Sequence, residues 1–189
     1  MSSKDTRNAI KQCVLEKMKQ KNISDIKVTE VVQILGISRG TFYLNFDSIY
    51  SVLQELEDEF FEGFFEQMTG AEEFPFSRRF FEEPHPYIVK GVNYLRENRD
   101  LILTLYGRYG DPLFQNKTRK LIERYYIRKA VEEGYLADDF NVDYIKGFLV
   151  GGHIQMTLDW LRQADPISPE KLAVQIFRVM FGFYLNLSK

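Results

Sequence analysis

The chain has 189 residues, a formal net charge of −2 and a hydrophobic share of 44%, which is typical of a folded protein and excludes a disordered one. A single cysteine excludes an internal disulfide framework. The polar N-terminal segment and the absence of any run of about 18 apolar residues predict neither a signal peptide nor a membrane span. We therefore expect a cytoplasmic protein without a membrane partner.

The charge is unevenly distributed along the chain. Residues 1–50 carry eight Lys and Arg against five Asp and Glu, whereas the remaining residues carry 17 against 22. A basic first quarter joined to an acidic body favours a nucleic-acid partner. The alternative is that the lysines only keep a helix solvated.

Helical patterns follow one another along the chain. Apolar residues recur at helical spacing over residues 5–20, and residues 28–35 fit a strand or a helix on propensity alone. Gly36 is typical of a helix C-terminus, and a Ser N-cap begins a short helix over residues 38–44. Further helices are predicted over residues 47–68, 87–97, 101–106, 112–133, 142–162 and 169–187. The predicted fold class is all-α, with a small N-terminal three-helix unit and a larger helical bundle.

Residues 28–52 carry the strongest functional pattern. Two short helices separated by a tight turn at Gly36 and Ile37 form the outline of a helix-turn-helix. Residues 38–41 would project from the N-terminal end of the second helix. In such motifs this end meets base edges in the major groove of DNA.

The sequence ISRGTFYLNFDS, residues 37–48, closely resembles the recognition-helix signature of TetR-type bacterial repressors, and the match extends over about residues 8–56. The segment GGHIQMTLDWLRQADPISPEKLAVQIF is similar to the ligand-binding and dimerisation domain of one TetR branch. The resemblance implies a helix-turn-helix DNA-binding domain over residues 1–47 and a helical ligand-binding and dimerisation domain over residues 48–189. It further implies a double-stranded DNA operator, an unknown small-molecule effector, no cofactor and no enzymatic activity.

The resemblance also implies which residues contact DNA. Arg39 and Thr41 would contact bases or phosphates, and Tyr43 and Asn45 would contact phosphates. Gly40 would permit close approach to the DNA backbone, because it has no side chain. The full predicted set is Lys27, Thr29, Ser38, Arg39, Gly40, Thr41, Tyr43 and Asn45.

Several positions depart from the TetR pattern. Leu44 replaces a commonly polar or aromatic residue, and Lys27 stands where a Thr helix cap is usual. Ile49 stands where a lysine often binds a phosphate, and the acidic Asp47 lies nearby. These departures predict weaker non-specific attraction to DNA. The alternative for Ile49 is that it packs inward with the apolar stripe of its own helix.

Two rival functions follow from the same residues. Residues 36–40 satisfy the G-x-S-x-G pattern of a nucleophile elbow, but that elbow needs a strand before the serine, and the chain offers no run of parallel strands. The stronger rival is a helical small-molecule-binding or protein-interaction module that has lost DNA binding.

The two histidines and the cysteine do not have metal-ligand spacing, so no metal site is predicted. His85 lies between two prolines and is expected at the surface. His153 is expected in the core or at an interface, with a ligand cavity as the alternative. Cys13 is expected to be a small buried apolar residue.

TetR-type bundles enclose a small-molecule pocket, and aromatic residues are the candidates for its lining. Taken singly, each of them is more often an ordinary core residue than a ligand contact. The candidates are Tyr87, Tyr94, Tyr106, Phe114, Tyr125, Phe148 and Trp160.

Residues about 142–186, the last two helices, are the expected homodimer surface by resemblance. Gly151 and Gly152 would let another helix approach closely, and an apolar row runs along the final helix. A buried core helix would produce the same row, whose members are Phe177, Met180, Phe181 and Tyr184. The chain is thus interpreted as a ligand-responsive regulator, a repressor by family default, that binds a near-palindromic operator as a homodimer.

Overall fold

The computed structural model describes residues 3–71, 77–128 and 142–185. The described helices are α1 (Ser3–Met18), α2 (Val28–Leu35), α3 (Arg39–Tyr43), α4 (Ile49–Met68), α5 (Pro86–Glu97), α6 (Arg99–Leu105), α7 (Pro112–Ile122), α8 (Val142–Arg162) and α9 (Pro169–Leu185). Short 3₁₀ turns lie at Ile23–Asp25 and Arg78–Phe81. The described residues contain no strand, which confirms the all-α prediction and resolves residues 28–35 as a helix.

The predicted helix over residues 112–133 is helical throughout its described part, with a change of helix type. Helix α7 ends at Ile122 and continues as a π turn over Glu123–Arg128, and the rest of that prediction lies outside the described residues. The 3₁₀ turn at Arg78–Phe81 was not predicted, because four residues are too few to show a helical period.

The chain divides into two compact units. The first comprises residues 1–63 and 100–114, and the second comprises residues 64–99 and 115–189, each where it is described. Helix α4 contributes its first part to one unit and its last part to the other. The predicted domain boundary between residues 47 and 48 concerns functional domains and stays a prediction.

The first unit has a core between α1, the two short helices and the start of α4. Helix α1 contributes Ile10 and Val14, which are fully buried, and α2 contributes Val31. Phe42 of α3 and Val52 of α4 are also fully buried. Burying side chains of this size stabilises the fold by about 1.5–3 kcal/mol each, so α3 is held mainly by packing rather than by its own five-residue helix.

The second unit is built around α9. This helix packs against α5, α8 and the 3₁₀ turn at Arg78–Phe81. Its residues Ile176, Phe177 and Met180 are 1% exposed. Pro169 at the start of α9 fits a first helical position, where a missing N–H costs nothing. None of the described helices is both long and apolar enough to cross a membrane.

Candidate nucleic-acid interface

The turn between α2 and α3 is set by Gly36. Its φ of 64° and ψ of 30° lie in the left-handed region, which glycine adopts without a steric penalty. The N–H of Gly36 donates to the carbonyl of Gln33, and the N–H of Ile37 donates to the carbonyl of Val32 at 3.1 Å. This pair of hydrogen bonds is a Schellman motif, which ends α2 and redirects the chain into α3.

Ser38 caps the N-terminus of α3, as the sequence predicts. Its Oγ accepts a hydrogen bond from the N–H of Thr41 at 2.9 Å, and the two hydroxyl oxygens lie 2.8 Å apart. The Thr41 hydroxyl is therefore oriented by Ser38 within the helix start. Ser capping of this kind stabilises a helix by about 1 kcal/mol, which defines the first turn of α3.

The residues of α3 alternate between the core and the surface. Phe42 is fully buried and Phe46 is 4% exposed, whereas Arg39 and Gly40 are exposed and Tyr43 is 56% exposed. The exposed residues among the predicted DNA contacts thus project away from the core. The two phenylalanines pack into the core and hold the segment in place. Thr41 and Asn45 are half-buried at the border between the two faces.

Gly40 is not required by the protein's own packing. Its φ is not positive, since Gly36 and Gly70 are the positive-φ glycines of the described residues. A Cβ built at position 40 would meet only the Ser38 Oγ, at an ordinary 3.5 Å. A helical position that tolerates a side chain but holds glycine gives up about 0.5–1 kcal/mol of stability relative to alanine.

The start of α2 adds a second exposed group of predicted DNA contacts. Lys27 and Thr29 are exposed. The Glu30 carboxylate accepts from the Lys27 N–H at 3.1 Å and from the Lys21 Nζ at 2.7 Å. The Lys21 ammonium lowers the pKa of Glu30. The carboxylate therefore caps α2 through the Lys27 backbone, which is half of a capping box.

The basic side chains of the first unit differ in their pairing. Arg7, Lys11, Lys19 and Lys21 each form an ion pair with a carboxylate. Within the described residues, neither Lys27 nor Arg39 forms an ion pair with a carboxylate. Positive charge is therefore available to an external anion at the starts of α2 and α3.

The sequence reasoning missed a network that fixes the end of α3. Arg7 of α1 forms a bidentate ion pair with Glu55 of α4, in which Nε donates to Oε1 at 2.8 Å. The same guanidinium also donates to the Asn45 carbonyl. The same guanidinium lies 4.2 Å from the ring centre of Phe46. Glu55 raises the pKa of Arg7, and Arg7 lowers the pKa of Glu55. Arg7 therefore ties α1 and α4 to the residues that directly follow α3.

A second ion pair extends this network along α1. Lys11 donates to both Glu59 oxygens at 2.6 and 2.8 Å and lies 3.3 Å from Glu55. Two basic residues four apart on α1 thus face two acidic residues four apart on α4. This matched spacing was the available signal in the sequence.

Position 49 does not face DNA. Ile49 is 5% exposed and lies in the core with Val52 and Leu53, so the inward-packing alternative is the correct one. The neighbouring Asp47 is exposed. The Asn45 side chain donates to the Thr41 carbonyl at 2.8 Å, which occupies one of its two amide hydrogens within the protein.

The candidate ligand-pocket residues fall in different places. Tyr106 and Phe114 belong to the first unit, where their ring centres are 5.9 Å apart. Trp160 is 3% exposed and its indole N–H donates to the Ile167 carbonyl at 2.7 Å, which is a structural contact. Tyr87, Tyr94 and Tyr125 are half-buried, and Phe148 is 74% exposed. That these seven residues line a ligand pocket stays a prediction.

The two histidines and the cysteine have distinct surroundings. The expectation that His85 lies at the surface is wrong: it is half-buried, and its ring stacks on Phe177 and contacts Phe80 at a centre distance of 4.6 Å. His153 is buried, as expected, and burial lowers its pKa to about 4. Cys13 is buried, and burial raises its pKa, so it fits the predicted apolar role rather than that of a reactive thiol.

The apolar row of α9 is core. Phe177, Met180 and Phe181 are 1%, 1% and 6% exposed, which corrects the interpretation of these residues as dimer surface. The Tyr184 side chain lies outside the described residues. On α8, by contrast, Tyr144 and Phe148 are 81% and 74% exposed. On α9, Val179 is 45% exposed, so the most exposed apolar side chains described on these two helices are the two aromatic ones of α8.

Comparison with known proteins identifies a matching family and several structures with a similar fold. A family described as "transcriptional regulator C-terminal region" matches residues 82–182, just over half of the chain. A TetR transcriptional regulator from Streptococcus agalactiae superposes with a TM-score of 0.61 at 24% identity, covering 99% of this chain and 95% of that one. A putative TetR-family regulator from Syntrophomonas wolfei gives 0.62 at 15% identity, covering 97% and 95%. The fatty acid degradation regulator FadR from Bacillus halodurans gives 0.60 at 15% identity, covering 94% and 95%. No curated protein sequence gives a significant match.

The helix-turn-helix geometry and the family match together define a DNA-binding transcriptional regulator. More specifically, the chain belongs to the TetR family, as its sequence resemblance implies.

Proposed function

We propose that the protein is a cytoplasmic repressor that binds a near-palindromic DNA operator as a homodimer, and that a small ligand modulates this binding. The observation that carries the proposal is the exposed N-terminal face of α3. Arg39 and Gly40 lie on it, while Phe42 and Phe46 hold the helix from the core side. Helices presented in this way enter the major groove with their first residues at the base edges.

The contacts divide by chemistry. Arg39 supplies a planar donor that suits a guanine edge or a phosphate. Lys27 and the Tyr43 hydroxyl suit phosphates, and Gly40 allows the DNA backbone to come close. The Ser38 cap and the Arg7 pairing with Asn45 and Glu55 keep this surface rigid. A rigid reading surface loses little conformational entropy on binding.

The proposed homodimer uses α8. Its outer surface carries the exposed aromatic side chains of Tyr144 and Phe148. Gly147, Gly151 and Gly152 lie on the same helix, and a Cβ added at any of them would meet no atom within 4 Å. A partner helix could therefore approach these glycines closely, with the aromatic rings beside them. Such self-complementary surfaces favour a two-fold symmetric pair.

A ligand would regulate DNA binding if it favours one spacing of the dimer's two DNA-binding domains (the heads) while the operator favours another spacing. Coupling of this kind amounts to about 1–3 kcal/mol, or a roughly 5- to 150-fold change in affinity. Aromatic residues of the second unit, such as Tyr87 and Tyr94, are the proposed contacts for an apolar ligand.

The test is selection of bound duplexes from random-sequence DNA, followed by a salt titration of the selected site. Each phosphate neutralised contributes about 0.9 to the slope of log affinity against log salt. With Lys27 and Arg39 as the contacts of each head, a dimer should show a slope of at most about −3.6. Arg39→Ala should remove about 1.8 of it if Arg39 binds phosphate, or relax one base preference per half-site if it reads a base.

The control is Arg96→Ala, which removes an exposed arginine of α5 whose side chain donates to the neighbouring Asn93. It should leave the slope unchanged. A protein that selects no sequence and shows no salt dependence would instead be a binding module that has lost DNA recognition.

A further inference from the structure

Leu44 is the most exposed of the large apolar side chains that the structure describes. Its side chain is 88% exposed, compared with 68% for Leu113 and 55% for Ile34. A single exposed leucine is unremarkable on a protein surface. Leu44, however, ends the recognition helix α3, directly beside the proposed DNA contacts.

The backbone holds Leu44 firmly in this outward position. Its N–H donates to the Gly40 carbonyl at 2.9 Å, which places it one helical turn after Gly40. The buried Phe42 and Phe46 lie two residues before and two residues after it. Because both rings are anchored in the core, the side chain between them must point away from it.

The chemistry of leucine restricts what it can recognise. The side chain has no donor, acceptor or charge, so it cannot bind a phosphate or satisfy a polar base edge. In the major groove, the thymine C5-methyl is the apolar feature that distinguishes one base pair from another. Gly40, on the same row of the helix, has no side chain that would keep the DNA away from Leu44.

We propose that Leu44 contacts the C5-methyl group of a thymine and thereby selects a T·A pair at one position of each half-site. The proposal rests on the proposed DNA-binding function and adds a specific base feature to it. The TetR pattern commonly has a polar or aromatic residue at this position. Under this proposal, leucine here adds sequence selectivity as well as weakening the electrostatic attraction to DNA.

The test uses a duplex selected from random DNA by the wild-type protein, in which each thymine is replaced in turn by deoxyuridine. Deoxyuridine keeps the pairing and the polar edge and lacks only the methyl group. At one position per half-site, wild-type affinity should fall about fourfold, the value expected for one buried methyl-sized group, and about 15-fold when both half-sites are changed.

The variant Leu44→Ala should bind the thymine and deoxyuridine duplexes equally at that position. Leu113→Ala, which truncates another exposed leucine of the first unit, should discriminate between them like the wild type. Since Leu44 makes little contact with the core, thermal melting should show both variants folded.

Two results would overturn the proposal in distinguishable ways. If DNA is bound but Leu44→Ala retains the same thymine preference at every position, Leu44 does not read the methyl group and the proposed function stands. If the folded wild-type protein selects no duplex at all, the proposed function fails and the inference fails with it.

Discussion

Gly40→Ala should separate the stability of the protein from its DNA affinity, because this glycine serves no packing role within the chain. Alanine at this position adopts the same helical backbone, and its methyl group meets only the Ser38 Oγ at 3.5 Å. The substitution should therefore raise the free energy of unfolding by about 0.5–1 kcal/mol.

The same methyl group would lie on the face that approaches DNA. If the DNA comes into van der Waals contact with Gly40, an added methyl group must displace it or strain the helix. Overpacking of this kind costs about 1–3 kcal/mol, so each head should lose about 5- to 150-fold in affinity. The variant would then be a more stable protein that binds its operator less tightly.

Urea unfolding measures the first quantity, and fluorescence anisotropy with a selected duplex measures the second. Gly36→Ala is the matched control, because Gly36 has a φ of 64°. It should lose about 1 kcal/mol of stability, the opposite sign from Gly40→Ala. A stabilised Gly40→Ala protein with unchanged operator affinity would refute the close approach of DNA to this residue.

Three further changes test other parts of the structure. Ile49→Lys should destabilise the fold by about 2–5 kcal/mol, because it places a charge at a position that is only 5% exposed. The control Tyr50→Lys, at a 57% exposed position, should change stability by no more than about 0.5 kcal/mol. Equal melting temperatures for the two variants would contradict the burial of Ile49. Phe148→Glu should convert a dimer to a folded monomer in light scattering, and a wild-type monomer at micromolar concentration would remove the proposed α8 interface. The pKa of His153 is about 4 in the folded protein, compared with 6.5 for an unfolded chain. Between these two values the unfolded chain binds a proton that the folded protein does not. The free energy of unfolding should therefore fall by up to about 3 kcal/mol as the pH is lowered from about 6.5 to 4. Urea unfolding of His153→Gln should show a smaller loss than the wild type, and parallel pH profiles would count against the shifted pKa.

The features that sequence analysis predicted well are local ones. Gly36 and Ser38 specify the end of one helix and the start of the next through hydrogen bonds that span no more than five residues. Such signals are visible in the sequence because each residue type suits only one backbone position. The buried face of α3 followed from the helical spacing of Phe42 and Phe46.

The features that it missed depend on residues far apart in the chain. The ion pair between Arg7 and Glu55 spans 48 residues, and the stacking of His85 on Phe177 depends on how α9 meets the segment before α5. The row on α9 was ambiguous for another reason. Core residues and dimer-interface residues have the same apolar character and spacing, so Phe177 and Phe181 could be assigned only from their burial.

The ion pairs also change what the basic N-terminal segment means for DNA binding. Four of the eight cations in residues 1–50 are paired within the protein, and three of the carboxylates that hold them lie beyond this segment. The charge of that segment therefore overstates the attraction to phosphates, and Ile49 adds none because its side chain is uncharged. Phosphate contacts supply most of the affinity for non-specific DNA, so under the proposed function we expect base contacts, such as the one proposed for Leu44, to supply a larger share of operator binding. Raising the salt concentration should thus weaken non-specific and operator binding by similar, modest factors and leave the preference for the operator largely intact.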